Sequence, residues 1–159
     1  MAGRTIVGTL LGTLTVLILA HAANAAQVRK GPVKVFILAG QSNMQGHGIV
    51  RADPQRNQVR GTLEYLVKNP NTAQRYGHLV DDRGLWVVRN DVWIWYMGRA
   101  GALAIGYGAR NDRIGPELQF GNVMGDYFDE QVLLVKTAWG GKSLAKDFRP
   151  PSSGGQVGP

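Results

Sequence analysis

The sequence contains no cysteine, and this absence excludes both a disulfide framework and a lipid anchor on a cysteine. A packed core must therefore supply the stability of the fold. Acidic residues are also scarce, because 11 Asp and Glu stand against 18 Lys and Arg, which gives a formal net charge of +7. The basic residues are scattered along the chain and are not interleaved with aromatic residues, so we expect no nucleic-acid partner.

Long apolar runs are equally scarce, and the one that is present lies near the N-terminus. Residues 6–20 are apolar apart from glycine and threonine, Arg4 precedes them, and a small-x-small triplet ends at Ala25. This pattern predicts a secretory signal peptide over residues 1–25, cleaved after Ala25, and a secreted or periplasmic protein. An uncleaved membrane anchor is the alternative, although the run is shorter than the ~20 residues of a span. No second such run follows, so residues 26–159 are expected to form at most one domain that does not enter a membrane.

The first strong structural pattern is an apolar run that ends in a polar turn. Six of the seven residues in 33–39 are apolar, which is typical of a strand buried on both faces. Gly40 breaks this strand and Ser42 follows, flanked by Gln41 and Asn43. A serine on a sharp turn at a strand end is how several hydrolases expose a nucleophile, with backbone N–H groups nearby to receive an oxyanion. An ordinary polar turn has the same composition, so the local sequence leaves both interpretations open.

A helix and a second strand follow in the order that a parallel α/β unit requires. Pro116 at the first helical position, after Gly115, predicts a helix from residue 116, and residues 131–138 predict the next buried strand. That strand ends in the glycine-containing loop 139–143. A right-handed crossover between parallel strands would place this loop beside residues 40–44, which we call the serine turn. Open α/β sheets bind ligands at this edge.

The chain between the first strand and this helix is predicted to contain an insertion, over about residues 51–113. Two short helices are predicted in it, at residues 61–68 and 72–79, and three strands that form an inserted β-hairpin. The strands are predicted at residues 85–88, 91–97 and 102–107. Trp93 and Trp95 are two residues apart and so share one face of a strand, where their rings suit either stacking on sugars or packing in the core.

A serine nucleophile needs a base, and the candidates are few. Outside the predicted signal peptide the histidines are His47 and His78 only. His47 lies five residues after Ser42 in a glycine-rich loop and is predicted to contact substrate, whereas His78 is predicted to lie on the surface. Together with Asp81 and Asp82 these histidines show no recognisable metal-ligand spacing, so we expect neither a metal nor another cofactor.

Three ordered segments carry a resemblance to a known family. Residues 35–44 resemble the nucleophile block of the sialate O-acetylesterase domain, whose family also includes acetylxylan esterases within the wider SGNH hydrolases. Residues 115–121 resemble its helix-opening segment, and residues 136–144 resemble its second block, which supplies an oxyanion glycine. The resemblance implies an SGNH-type, flavodoxin-like three-layer α/β/α sandwich with a parallel sheet, and hydrolysis of acetyl esters on carbohydrates.

The resemblance also implies roles for individual residues. Ser42 would be the nucleophile, and its N–H would form part of an oxyanion hole with the N–H of Gly140 or Gly141. Gln41 and Asn43 would support the turn through side-chain hydrogen bonds. The substrate would be an acetylated glycan, and sialic acid, xylan and other acetylated glycans all stay open.

The chain departs from the family pattern in two ways. It lacks the family's Gln-Gly-Glu-x-Asp-like block, and no Asp stands three residues before His47 or His78, as the family's Asp-x-x-His base would require. We therefore expect the N-terminal part of such a domain, incomplete at the C-terminus, with little or no esterase activity by itself. The alternatives are a non-catalytic carbohydrate-binding module that uses the tryptophan-rich hairpin, and a phosphate- or nucleotide-binding domain, which the glycine spacing does not favour.

Overall fold

The computed structural model of the chain describes residues 31–55 and 59–155. The predicted signal peptide, residues 1–25, lies outside the described residues. Within these two ranges no helix is long and apolar enough to cross a membrane.

Six strands and four α-helices make up the described part of the fold. The strands are β1 (Lys34–Gly40), β2 (Gly48–Ile49), β3 (Arg89–Tyr96), β4 (Arg99–Leu103), β5 (Arg113–Ile114) and β6 (Val132–Ala138). The helices are α1 (Ser42–Gln45), α2 (Leu63–Lys68), α3 (Pro70–Tyr76) and α4 (Pro116–Tyr127), with 3₁₀ turns at Gly77–Leu79 and Pro151–Ser153. The two strands predicted at residues 33–39 and 131–138 correspond to β1 and β6 within one residue at each end. The prediction that the first strand is buried on both faces is wrong, because Val35 and Ile37 on one face of β1 are 55% and 70% exposed.

The main sheet has four strands in the order β1-β6-β3-β4. β6 runs parallel to both β1 and β3, and β4 is antiparallel to β3. The β1–β6 pairing runs from Lys34 opposite Val132 to Gly40 opposite Ala138, so both strands end at the same edge. β2 and β5 form a separate two-stranded antiparallel sheet. The predicted mixed α/β fold with a mostly parallel sheet is confirmed.

Antiparallel β3 and β4 form a hairpin, and it is part of the main sheet because β3 also pairs with β6. That this hairpin is an insertion stays a prediction. Its turn passes through Met97 and Gly98, which both have positive φ (47° and 74°). Glycine adopts this left-handed conformation freely, and the tight turn imposes it on the methionine as well.

Two of the strand predictions are wrong. Residues 85–88 form only one bridge, between Trp86 and Val80, because the Asp81 carboxylate accepts the N–H of Leu85 and holds a turn. The strand predicted at residues 102–107 lies earlier, in β4. After β4, the guanidinium of Arg99 donates hydrogen bonds to the carbonyl oxygens of Gly106 and Gly108. These bonds hold residues 106–108 outside the hydrogen-bonded strands of the sheet.

α4 begins at the predicted residue and packs on one face of the sheet through glycines. A Cβ at Gly121 would clash with the side chain of Leu103, and a Cβ at Gly125 would lie 2.6 Å from Val92. The helix backbone therefore lies directly against the strands, an approach that only glycine permits.

The helical spacing of Leu118, Phe120, Val123, Met124 and Tyr127 predicts an apolar stripe on this helix, and that prediction is only partly correct. Leu118 is buried, but Val123 and Tyr127 are 47% and 76% exposed. The two glycines and the buried Asn122, whose side-chain N–H₂ donates to the carbonyl oxygen of Leu118, occupy the sheet-facing positions instead.

Two hydrophobic clusters lie on the α4 side of the sheet. The larger one joins the inward-facing side chains of the four strands, namely Leu38, Val92, Ile94, Leu103, Val132 and Leu134, with Met44 and Phe120 packed against them. The smaller one joins α2, the 3₁₀ turn and α4 through Leu63, Leu79 and Leu118.

The opposite face of the sheet is also apolar, and we call it the outer apolar face. Strand register aligns its side chains in two rows, Val35–Leu133–Trp93 and Ile37–Val135–Trp95. Val35 and Ile37 are 55% and 70% exposed, so this face is largely open in the described structure.

Candidate active site

Ser42 begins the one-turn helix α1, directly after the end of β1. The chain turns tightly here, because a Cβ at Gly40 would lie only 2.7 Å from the Cβ of Met44. The side-chain oxygen of Gln41 accepts hydrogen bonds from both Ser42 N–H (3.3 Å) and Ser42 Oγ (3.2 Å). Asn43, the other predicted supporting residue, is exposed. The serine hydroxyl therefore lies at the sheet edge, bonded to an amide oxygen of its own turn.

The loop after β6 lies beside this turn, as the parallel crossover requires. Trp139 N–H donates to the carbonyl oxygen of Gly40 (3.3 Å), and a Cβ at Gly140 would lie 3.9 Å from the Cβ of Ser42. Gly141 has a φ of 73°, in the left-handed region, and open space around its Cα. The structure thus brings Ser42 close to Gly140, one of the two predicted oxyanion glycines.

Gln45 joins the two loops, a role that the sequence did not reveal. Its side-chain oxygen accepts the N–H of Gly140 at 3.1 Å. The amide N–H₂ of the same side chain hydrogen-bonds to the hydroxyl oxygen of Tyr96, whose own proton is donated to the carbonyl oxygen of Ala138 at 2.8 Å. In the sequence Gln45 lies in the glycine-rich segment that also contains His47, and the only local indication of its role is its place three residues after Ser42, on the same side of a helical turn.

A buried ion pair lies directly beneath the serine turn. Lys136 on β6 and Glu117 on α4 are both fully buried, and their Nζ and Oε2 atoms are 2.6 Å apart. Lys136 Nζ also donates to the carbonyl oxygens of Gln45 and Tyr107, each at 2.8 Å. Glu117 Oε1 accepts the N–H of Gly115 at 2.7 Å, which caps the start of α4. The pair therefore connects the serine turn to the helix and to the loop before β5.

Burial shifts the proton affinities of this pair in opposite directions. Desolvation raises the pKa of Glu117, although the hydrogen bond and charge of Lys136 oppose the rise. Desolvation lowers the pKa of Lys136, and Glu117 opposes that shift in turn. Because each charge supports the other, we assign the charged forms to both groups at neutral pH.

Neither predicted histidine contacts the serine in the described structure. His47 is exposed and follows α1, on the segment that leads into β2. His78 Nε2 lies 3.0 Å from Gln119 Oε1, which ties it to the outer side of α4. Ser42 Oγ bonds only to Gln41 among the described residues. The base for a serine nucleophile is thus not identified among the described histidines.

The two candidate sugar-stacking residues lie on the outer apolar face rather than at the serine turn. Trp93 and Trp95 are 50% and 48% exposed, so neither is buried in the core. Trp95 is in register with Val135, three residues before the end of β6, which puts it about 10 Å from the sheet edge at ~3.3 Å per residue.

No group of three or more His, Cys, Asp or Glu side chains within residues 31–55 and 59–155 has the arrangement of a metal site. Several carboxylates of this region engage arginines, lysines and backbone N–H groups instead. Asp81 binds Arg83, and Asp147 binds Lys142 and the N–H of Ser143.

The chain is similar to known proteins in sequence and in structure. The model of the SASA family, described as carbohydrate esterase, sialic acid-specific acetylesterase, matches residues 32–156. A crystal structure of a protein from Arabidopsis thaliana is 22% identical, with a TM-score of 0.41, over 72% of this chain and 44% of that one. The chain therefore spans less than half the length of that protein. No curated protein gives a significant match.

Proposed function

Because this chain belongs to the SASA family of carbohydrate esterases, we propose that it carries the nucleophile of a secreted serine O-acetylesterase that acts on acetylated glycans. The observation that carries this proposal is the position of Ser42 beside Gly140, at the edge where the parallel strands β1 and β6 end. Ligands of open α/β sheets bind at this edge.

The proposed reaction begins when Ser42 Oγ attacks the acetyl carbonyl carbon while its proton passes to a base. The carbonyl oxygen becomes an oxyanion in the tetrahedral intermediate. Collapse of that intermediate breaks the ester bond, releases the sugar hydroxyl after it takes a proton, and leaves acetyl-serine. Water then attacks the acetyl-serine, which frees acetate and restores the serine hydroxyl.

Backbone amides of the two loops are the proposed oxyanion donors. Ser42 N–H and Gly140 N–H donate to the neutral side-chain oxygens of Gln41 (3.3 Å) and Gln45 (3.1 Å). A charged acceptor forms a stronger hydrogen bond than a neutral amide oxygen. We therefore expect a substrate oxyanion to displace these side chains, with Gly141 N–H as the further candidate donor.

Acetylation of Ser42 by p-nitrophenyl acetate tests this proposal without requiring turnover. Because no described histidine bonds to Ser42, we expect slow or no turnover by the chain alone, and the first acyl transfer is the step to measure. Peptide mapping by mass spectrometry would compare acetylation of Ser42 with that of the exposed Ser143 in the same molecule. Faster modification of Ser42 supports the proposal. Equal modification of both serines, or retention of all activity in Ser42→Ala, would count against it.

A carbohydrate-binding role without catalysis is the second candidate, favoured by the half-exposed indole rings of Trp93 and Trp95 on one sheet face. Aromatic faces stack on sugar rings. Binding of acetylated xylan fragments, measured by calorimetry, should then be lost in Trp93→Ala and retained in Ser42→Ala. Tyr127→Ala is the matched control, because Tyr127 is an exposed aromatic residue on α4. Binding that survives the tryptophan substitution would exclude this candidate.

We further propose that the protein is secreted or periplasmic, on the basis of the predicted signal peptide. Expression with its own N-terminus in a bacterial host should give an exported product that begins at Ala26. An uncleaved chain in the membrane fraction would instead support the membrane-anchor alternative.

A further inference from the structure

The buried pair formed by Lys136 and Glu117 has no part in the proposed bond-making steps, yet it lies directly under the serine turn. Both side chains are fully buried, and the ammonium group also lies 4.6 Å from the centroid of the Tyr96 ring. Burying two charges costs several kcal/mol per ion before their attraction is counted. An apolar pair at these positions would avoid that cost, so the position of these charges requires an explanation.

The hydrogen-bond geometry excludes Lys136 as the base that activates Ser42. A lysine ammonium has three N–H donors and no acceptor. All three donors have partners here, namely the carbonyl oxygens of Gln45 and Tyr107 and the carboxylate of Glu117. A base needs a free lone pair directed at the serine hydroxyl, whereas Ser42 Oγ bonds to Gln41.

The serine turn needs support from outside itself. α1 is a single turn, closed by two hydrogen bonds, from Gln45 N–H to Gln41 O (2.7 Å) and from Gly46 N–H to Ser42 O (3.0 Å). Helices this short are not stable alone in water, because nucleation fixes several dihedral angles for each bond gained. Contacts with the rest of the domain must therefore hold the turn in place.

The pair supplies such a contact at the C-terminal end of the turn. Lys136 Nζ bonds to the carbonyl oxygen of Gln45, one of the last carbonyls of α1, where a positive charge also complements the helix dipole. Glu117 fixes the lysine from the other side and caps α4 through Gly115. Gly46 packs against Gly115 so closely that no Cβ fits between them. One charged pair thus ties the serine turn to both the sheet and the helix.

We propose that the Lys136–Glu117 pair is the positioning element of the serine turn, which holds Ser42 in register with the Gly140 loop. This inference rests on the proposed function only in assigning Ser42 the role of nucleophile. The geometry itself can be tested without substrate, through the mobility of the turn.

Hydrogen exchange of single amides, followed by NMR, measures that mobility. The test variant is the double substitution Lys136→Met and Glu117→Gln, which removes both charges together and keeps an acceptor for Gly115 N–H. The control variant is Arg89→Met and Asp91→Asn, which removes a partly buried ion pair (2.7 Å) at the opposite end of the sheet. Both variants lose a charged pair, but only the first should loosen the serine turn.

We expect the amides of Gln45 and Gly46 to exchange at least about tenfold faster in the test variant than in the control. Without the ion pair, the serine turn can open while the rest of the domain stays folded. The amides of β6 other than residue 136 report global unfolding, so their change in each variant gives the baseline for Gln45 and Gly46. Equal exchange of Gln45 and Gly46 in both variants would overturn the proposal. So would a rise that only follows the β6 amides.

A second double variant, Lys136→Gln and Glu117→Gln, replaces the test variant if the methionine version does not fold. It keeps an amide donor at position 136, so exchange at Gln45 should lie between that of the native chain and the methionine version. No increase over the Arg89 control overturns the proposal here as well. If p-nitrophenyl acetate does not acetylate Ser42 in the native chain, that result counts against the proposed function. The hydrogen-exchange result would still decide whether the ion pair positions the serine turn.

Discussion

Replacing Lys136 alone with methionine is expected to lower the free energy of unfolding by about 3–5 kcal/mol at neutral pH. The side chain is fully buried and donates three hydrogen bonds, one of them to the Glu117 carboxylate at 2.6 Å. Methionine fills a similar volume, so the loss comes from the carboxylate that stays buried without its partner and from two carbonyl oxygens without a donor.

The loss should depend on pH in a direction that the burial of Glu117 fixes. Burial already raises the pKa of this carboxyl above its ordinary value of 4.5, and Lys136 opposes the rise. Without the lysine the folded-state pKa rises further above the unfolded value. The folded variant then retains a proton that the unfolded chain has released, so stability falls as pH rises through the folded pKa. The destabilisation is therefore smallest below about pH 4.5 and largest near neutrality.

Urea denaturation followed by circular dichroism, in steps from about pH 4 to about pH 8, measures this dependence. Lys68→Met is the matched control, because Lys68 forms an exposed i,i+4 pair with Glu64 and should cost under ~0.5 kcal/mol. A loss below ~1 kcal/mol for Lys136→Met at neutral pH, or an equal loss at both ends of the pH range, would refute the reasoning.

Three further predictions follow from single contacts. Gly121→Ala should lower the free energy of unfolding by about 1–3 kcal/mol in thermal denaturation, because the added Cβ would clash with the sheet. Gly77→Ala is the control and should be neutral or stabilising, because there is open space around Gly77. Thr62→Ala should cost about 1 kcal/mol by that assay, because the buried hydroxyl caps α2. Gln45→Ala should speed hydrogen exchange at Gly140, whose N–H loses its acceptor; unchanged exchange there would show that the bond does not hold the loop.

The parallel core could be predicted from sequence because its information is local. Residues 33–39 and 131–138 are apolar runs of strand length, and Pro116 marks the start of the intervening helix, so β1, α4 and β6 follow directly. The right-handed crossover then places the two glycine loops at one edge. Ser42 and Gly140 lie together in the structure for this reason.

The remaining features depend on tertiary contacts that local patterns do not encode. The pairing of β3 with β6 depends on the whole arrangement of the sheet. In the structure the buried Ile94 alternates with the half-exposed Trp93 and Trp95, so one face of this strand is open. Lys136 occupies the inward parity of β6, between the buried Leu134 and Ala138. Its burial could be predicted from that parity, but its three partners could not.

The contacts that hold the serine turn all come from one side of the sheet. Met44 packs into the inner hydrophobic cluster with Leu38, and Lys136 and Glu117 approach from the same inner face. The outer apolar face contributes its side chains to none of these contacts. The position of Ser42 is thus set by contacts on the α4 side of the sheet. Covering or exposing the outer apolar face should leave the position of Ser42 unchanged.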